Sequence, residues 1–189
     1  MIWIAADAMC GDAAPAHIVD GALAAVKHFD LSVMLVGPIT ALQAEVARHP
    51  SVDASRVLAT IKVAADLVAT GEASALFSAG HTGASVMAAH SSFGMLPGVG
   101  RPALAATLPT RERPAILLDV GASAACRPPH FVEFAVMGTV YARVDYSEYG
   151  GAPLLGASGI AVVVHGRSSA KAVAAARGAE PVGRQETPA

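Results

Sequence analysis

Aromatic residues are scarce in this 189-residue chain, at 5% with a single tryptophan. Any core must therefore be assembled from Ala, Val, Leu, Ile and Met. Hydrophobic residues reach 53%, but much of that is alanine, which buries little area per residue. Charge is also sparse, 15% of residues with a net of −2. So little charge on so much apolar material excludes a disordered polyelectrolyte, and the absence of a basic excess excludes an electrostatic grip on nucleic acid. There are two cysteines, Cys10 and Cys126. They lie far apart with no CxxC pattern, which leaves no disulfide framework and no zinc knuckle. No secretory signal is visible at the N-terminus, so reduced thiols in a cytoplasm are expected. No apolar run approaches the ~20 residues of a membrane span; a soluble chain, at most peripheral to a membrane, is expected. The patterns GxSxG and GxxxxGK[ST] are missing, and no His/Cys cluster implies a metal or other cofactor.

What is present reads as an α/β alternation. Ile2 to Ala6 is a short apolar run ending in Asp7. Pro15 suits the first position of a helix, and Ile18, Ala22, Leu23, Ala25 and Val26 recur at helical spacing. Leu31 to Val36 is a second strand closed by Gly37-Pro38, followed by a helix with Leu42, Ala44, Val46 and Ala47. This β-α-β-α order favours a largely parallel sheet. Residues 50–56 read as a linker or cap, Val57 to Val68 as helical, and Ala73 to Ser78 as a third strand turning at Gly80 into a helix. Leu104 to Leu108 and Ala115 to Leu118 are joined too closely for a crossover, which predicts an antiparallel hairpin. Phe131 to Ala142 reads as a helix and Gly159 to Val164 as a last strand, with a final helix capped at Ser168 or Ser169. The expectation is one α/β domain over residues 1–176, with 177–189 a disordered tail rich in Gly, Pro and charge.

Three strand exits share a design, an apolar strand entering a small-residue loop: Asp7 to Asp12, Ser78 to Ala84, and Asp119 to Ser123. In a parallel sheet such exits converge at the carboxyl edge, where ligands bind. Gly80 and Gly83 let the backbone approach a ligand, and the helix that follows offers free N–H groups and a positive dipole end to a phosphate. Thr82 adds a hydroxyl, and His81 a donor or proton carrier. Taken alone, such a turn also occurs without any ligand. Asp7, Asp12 and Asp119 carry two readings, loop capping or ligand positioning. His165 and Lys171, after the last strand, could likewise contact an anion or be solvated. Arg111 and Arg113 mark a solvated turn or an anion contact.

Taken together, these blocks resemble the PlsX family of phosphate acyltransferases. Asp7-Ala8-Met9-Cys10-Gly11-Asp12 is similar to the family's DAMGGD, with Cys10 in place of a glycine. Ser78-Ala79-Gly80-His81-Thr82-Gly83-Ala84 is similar to SAGNTGA. The likeness continues through Gly94 to Gly98, Arg101 to Ala105, Leu117 to Ala122, Cys126, Pro128, Phe134 to Gly138, Asp145 to Gly156, and His165-Gly166 with Ser169, Lys171 and Ala172. It departs at Ser123, where asparagine is usual, and in two shortened stretches. One lies near Asp53 to Thr60, where the family has another strand, and a larger one between Arg143 and Asp145. The resemblance implies a three-layer α/β/α sandwich, mostly parallel, similar to isocitrate and isopropylmalate dehydrogenases, here incomplete. It implies transfer of a long-chain acyl group from acyl carrier protein to inorganic phosphate, giving acyl phosphate without a cofactor or metal. Implied site residues are His81, Asp119 and Lys171 as catalytic, Gly80 to Gly83 as the phosphate cradle, and Asp7, Asp12 and His165 lining the cleft. Arg101, Arg111 and Arg113 would meet the acidic carrier protein. A homodimer and a downstream membrane glycerol-3-phosphate acyltransferase are further implied partners. An inactive remnant, or a phosphate- or carrier-binding module without turnover, is the alternative that the shortened stretches raise.

Overall fold

A computed structural model of the chain describes residues 2–50, 53–60, 63–111, 114–121, 123, 125–142 and 151–164. Strand Ile2–Asp7 (β1) is followed by helix Ala16–His28 (α1), strand Leu31–Val36 (β2) and helix Ile39–Val46 (α2). A short 3-10 turn leads to strand Val57–Thr60 (β3), then helix Ala64–Ala69 (α3), strand Ala75–Ser78 (β4) and helix Thr82–Phe93 (α4). The second half holds strands Ala103–Leu108 (β5) and Ala115–Leu118 (β6), helix Pro128–Tyr141 (α5), and strands Ala152–Leu155 (β7) and Ile160–Val163 (β8).

All eight strands form one sheet in the order β3-β2-β1-β4-β8-β7-β5-β6. The first five run parallel, as the β-α-β alternation requires, and the pairs β8–β7, β7–β5 and β5–β6 are antiparallel. The expected hairpin is present, pairing Ala105 with Leu118 and Leu108 with Ala115. The sheet is thus mostly parallel as expected, with an antiparallel part that extends beyond the hairpin to β7.

Side-chain alternation along the strands splits the core between two faces. Val33 and Leu35 of β2 point to the face covered by α1 and α2, packing with Ile18, Val19, Leu23, Val26, Leu42 and Phe77. Met34 points the other way, into a cluster with Ala65, Leu67, Leu76, Val86, Ala89, Leu104 and Val163 under α3 and α4. This is a three-layer α/β/α arrangement. The helical stripe read in α1 is the buried one, and Lys27 and His28 lie in its last turn, where the dipole favours cations.

Three features differ from the reading of the sequence. Val57 to Val68 is not one helix: Val57–Thr60 is a strand paired in register with Val33–Val36, and the helix begins only at Ala64. A strand therefore stands where the family resemblance implied one was lost. The four residues of β7 were not anticipated; β7 fills the position between β8 and β5. Helix α5 starts at Pro128 rather than Phe131, with the Arg127 N–H donating to His130 Nδ1 at 3.1 Å. It buries Phe134 and Tyr141 and leaves Phe131, Val132, Val136 and Val140 exposed. The final helix and the tail expected after Val164 fall outside the described residues, as does the shortened stretch between Arg143 and Asp145.

Candidate functional site

At the carboxyl edge of the parallel half, Val36, Asp7, Ser78 and Val163 stand side by side on β2, β1, β4 and β8. The chain leaves β1 and β4 in the same direction, so the loops after Asp7 and Ser78 meet. Between them opens a cavity of about 640 Å³, in the range that holds small-molecule ligands. It is lined by Asp7, Cys10, Ser78, Gly80, His81 and Ser85 and, among apolar residues, by Val36, Pro38, Val63, Ala64, Ala65 and Ala88.

The loop after β4 is built to leave donors free. His81 is the N-cap of α4 and gives no side-chain cap. The N–H groups of Thr82, Gly83 and Ala84 therefore lack intrahelical acceptors and carry the positive end of a 12-residue helix. Ser78, buried beneath the turn, accepts from the Gly80 N–H at 3.2 Å and from the Ser85 hydroxyl at 3.2 Å. His81 is exposed and folds back over Gly83, where an added Cβ would stand 3.2 Å from His81 Cε1. Glycine at 83 is thus what allows the imidazole to lie beside the helix start.

The loop after β1 is held by its own carboxylate. Asp7 Oδ1 accepts from the Met9 N–H at 3.3 Å, and Oδ2 accepts from the Cys10 thiol at 2.8 Å. Burial, then the hydrogen bond to Asp7 and its charge, push the Cys10 thiol up from its ordinary 9.0 to about 11. Cys10 is therefore protonated at neutral pH and no candidate for a thiolate nucleophile.

Asp7, Gly80 and His81 come together as the sequence suggested, with Thr82 and Gly83 in the adjoining first turn of α4. Asp12 is exposed in the turn before α1. Asp119 does not join them. Because β7 runs against β8, β5 against β7, and β6 against β5, the chain leaves β6 at the opposite edge of the sheet from Asp7 and Ser78. Four strand spacings, about 19 Å, separate β6 from β4. The expectation that three exits converge therefore holds for two of them.

Asp119 instead forms a second polar group, in the left-handed region at φ 60°. Its Oδ2 accepts from the Cys126 thiol at 3.1 Å, an interaction that raises that thiol's pKa. Asp119 Oδ1 and Ser123 Oγ are buried without partners. Arg101 belongs to this edge too, donating to the Ala125 carbonyl at 2.7 Å. Arg111 is exposed in the β5–β6 turn, which lies at the carboxyl edge. Arg113, His165 and Lys171 are outside the described residues. Reading the sequence missed Cys10, Ser85 and the apolar wall. Only the substitution of Cys10 for a glycine gave any signal.

Among the described residues no set of three His, Cys, Asp or Glu groups could hold a metal ion. No helix among them is long and apolar enough to cross a membrane.

The fold is similar to that of a phosphotransacetylase, EutD from Staphylococcus aureus, with a TM-score of 0.57 over 92% of this chain and 91% of that one, at 12% identity. A family model described as "Fatty acid synthesis protein" matches residues 54–144. Curated relatives named phosphate acyltransferase align at 41% identity in Koribacter versatilis, 42% in Pelotomaculum thermopropionicum and 40% in Desulfitobacterium hafniense. These matches cover 77%, 74% and 76% of this chain but 47%, 47% and 49% of the relatives. The first alignment has more positions, 170, than 77% of 189 residues can supply, so it opens gaps in this chain. Across those matched residues the chain is similar to the phosphate acyltransferases, and it spans about half the length of the relatives it matches.

Proposed function

We propose that this chain holds inorganic phosphate at the start of α4 and transfers to it a long-chain acyl group carried as a thioester on acyl carrier protein. One observation carries the reading. A helix N-terminus without a side-chain cap and an apolar wall face the same cavity. Phosphate needs the first and an acyl chain needs the second. The N–H groups of Thr82 to Ala84, with the Thr82 hydroxyl and His81, supply donors to the anion. Val36, Pro38, Val63, Ala65 and Ala88 give the acyl chain apolar contact, worth about 25 cal/mol per Å² buried.

In the transfer, a phosphate oxygen attacks the thioester carbonyl carbon. The tetrahedral oxyanion collapses, the C–S bond breaks, and the carrier's sulfur leaves and takes a proton. The protein's share is alignment and stabilisation of the oxyanion by fixed donors. A protonated Cys10 argues for this direct attack over an acyl-cysteine intermediate. Asp7 lies close to the anion, but its charge is spread over the Met9 N–H and the Cys10 thiol. Arg111 is the described arginine on the side from which an acidic carrier would approach. His165 and Lys171 complete the cleft in this proposal, and the exposed apolar face of α5 serves a homodimer.

A second reading is favoured by the lining itself, which includes neither lysine nor arginine among the described residues. In that reading the half-length chain binds phosphate without turnover. Replacing Thr82 by Val separates the cradle from other sites. The phosphate concentration for half-maximal binding or activity should rise on the order of tenfold, as for loss of one hydrogen bond to a charged ligand. An unchanged phosphate requirement would remove Thr82 from the site.

A further inference from the structure

Ser78 ends β4 and is only 3% exposed. The sheet fixes it from both sides, in register with Asp7 of β1 and Val163 of β8, and its carbonyl accepts from the Val164 N–H at 2.9 Å. Its Oγ accepts from the Gly80 N–H at 3.2 Å and from the Ser85 hydroxyl at 3.2 Å. Ser85 lies one turn into α4, and its own N–H donates to the His81 carbonyl at 3.1 Å. A smaller interaction runs from the Ser78 hydroxyl to the Cys10 thiol, opposite in direction to the rise that burial and Asp7 impose on it. A hydroxyl has one proton to give and two lone pairs to accept with, so Ser78 has no capacity left for a ligand. The Gly80 N–H is spent in the same way, on Ser78.

We propose that Ser78 is the positioning residue of the site: by holding the Gly80 N–H and the Ser85 hydroxyl, it fixes the direction in which the first turn of α4 presents its N–H groups to the cavity. The inference rests on the reading of that turn as a phosphate site. It adds which residue orients the turn and which N–H groups bind. Gly80, placed in the cradle by sequence, belongs to the scaffold, and the N–H groups of Thr82, Gly83 and Ala84 remain for the anion. A buried group on a central strand suits the task, because its neighbours on both sides keep it from following the loop. Without the hydroxyl the Gly80 N–H loses its acceptor, and the ligand must order the turn as it binds.

Amide hydrogen exchange, followed residue by residue by NMR on the full chain with and without inorganic phosphate, tests both parts. In the unaltered protein the Gly80 amide should exchange about tenfold or more slowly than those of Thr82 and Gly83. Phosphate should slow Thr82, Gly83 and Ala84 and leave Gly80 as it was. Ser78→Ala should bring the Gly80 amide to the rate of its neighbours and raise the phosphate concentration for half-saturation about three- to tenfold, as for one neutral hydrogen bond. In the same variant the inflection of Cys10 alkylation should move further up. A role in stability alone would lower the unfolding midpoint and leave half-saturation unmoved, which overturns the proposal. If Ser78→Ala does not fold, the exchange pattern of the unaltered chain decides. A Gly80 amide that exchanges as fast as Thr82, or that phosphate slows, overturns the role of Ser78 alone. Phosphate that slows none of these amides overturns the phosphate reading and this inference with it.

Discussion

The contact between Cys10 and Gly80 can be tested without any ligand, through stability. Gly80 does not use the left-handed backbone region, so alanine is permitted there by conformation and opposed only by its neighbours. Those neighbours are Cys10 Sγ at 2.8 Å, Cys10 Cβ at 3.0 Å and Ser78 Oγ at 3.2 Å from the new methyl, against an optimum of about 3.5–4.0 Å for such contacts. Overpacking of this kind costs about 1–3 kcal/mol. Loss of glycine's freedom in the unfolded chain offsets about 0.4–1 kcal/mol of it. Gly80→Ala should therefore destabilise the protein by about 0.5–2 kcal/mol. In a Cys10→Gly background the two closest contacts are gone, and the Ser78 hydroxyl can rotate. There Gly80→Ala should be neutral, or stabilising by up to about 1 kcal/mol. The coupling between the two positions should be about 1–2 kcal/mol, well above the ~0.5 kcal/mol within which independent sites add. Urea unfolding of the four proteins measures it. Additivity within that limit would refute the contact.

Alkylation of Cys10 should be slow at pH 8 and should rise with an inflection near pH 11, falling only part of the way toward 9 in Asp7→Asn because burial remains; an inflection at or below 9 in the unaltered protein would contradict both the burial and the thiol–carboxylate pair. The same shift has a sign for stability. Below pH 9 the thiol is protonated in both states. Above it the unfolded thiol ionises first, so Cys10's contribution should decline as pH rises from about 9 to about 11. Ala88→Leu fills the apolar wall from a helix that tolerates leucine well. It should depress transfer from long acyl donors relative to short ones on the order of tenfold and leave the phosphate requirement unchanged. A uniform loss over all chain lengths would place the acyl chain elsewhere.

The strands and helices that carry the carboxyl-edge site were legible because each is a local pattern. Asp7 ends an apolar run, α1 shows a full helical stripe, and Gly80 breaks β4 from α4. What escaped was non-local. β3 is four residues whose pairing partner, Val33–Val36, lies over twenty positions earlier, and with no turn signal after Thr60 it merged with the helix that follows. β7 is held by β8 on one side and by Ala103 and Leu104 of β5 on the other. No local feature marks it. That omission explains the misplaced Asp119. The hairpin showed that β5 and β6 oppose one another, but only β7 determines which of them exits toward Asp7. Cys10 was visible as a departure from a motif, while its contact with Gly80 required the two loops to be placed in space.

The central claim is that phosphate at the start of α4 accepts an acyl group inside this chain. It is tested most directly by incubating the purified chain with long-chain acyl carrier protein and isotopically labelled inorganic phosphate, then following both carrier release and label. Label in acyl phosphate, in step with carrier release and absent without phosphate, is the expected result. Carrier release that ignores phosphate, or a folded chain that binds phosphate and releases no carrier, would contradict it.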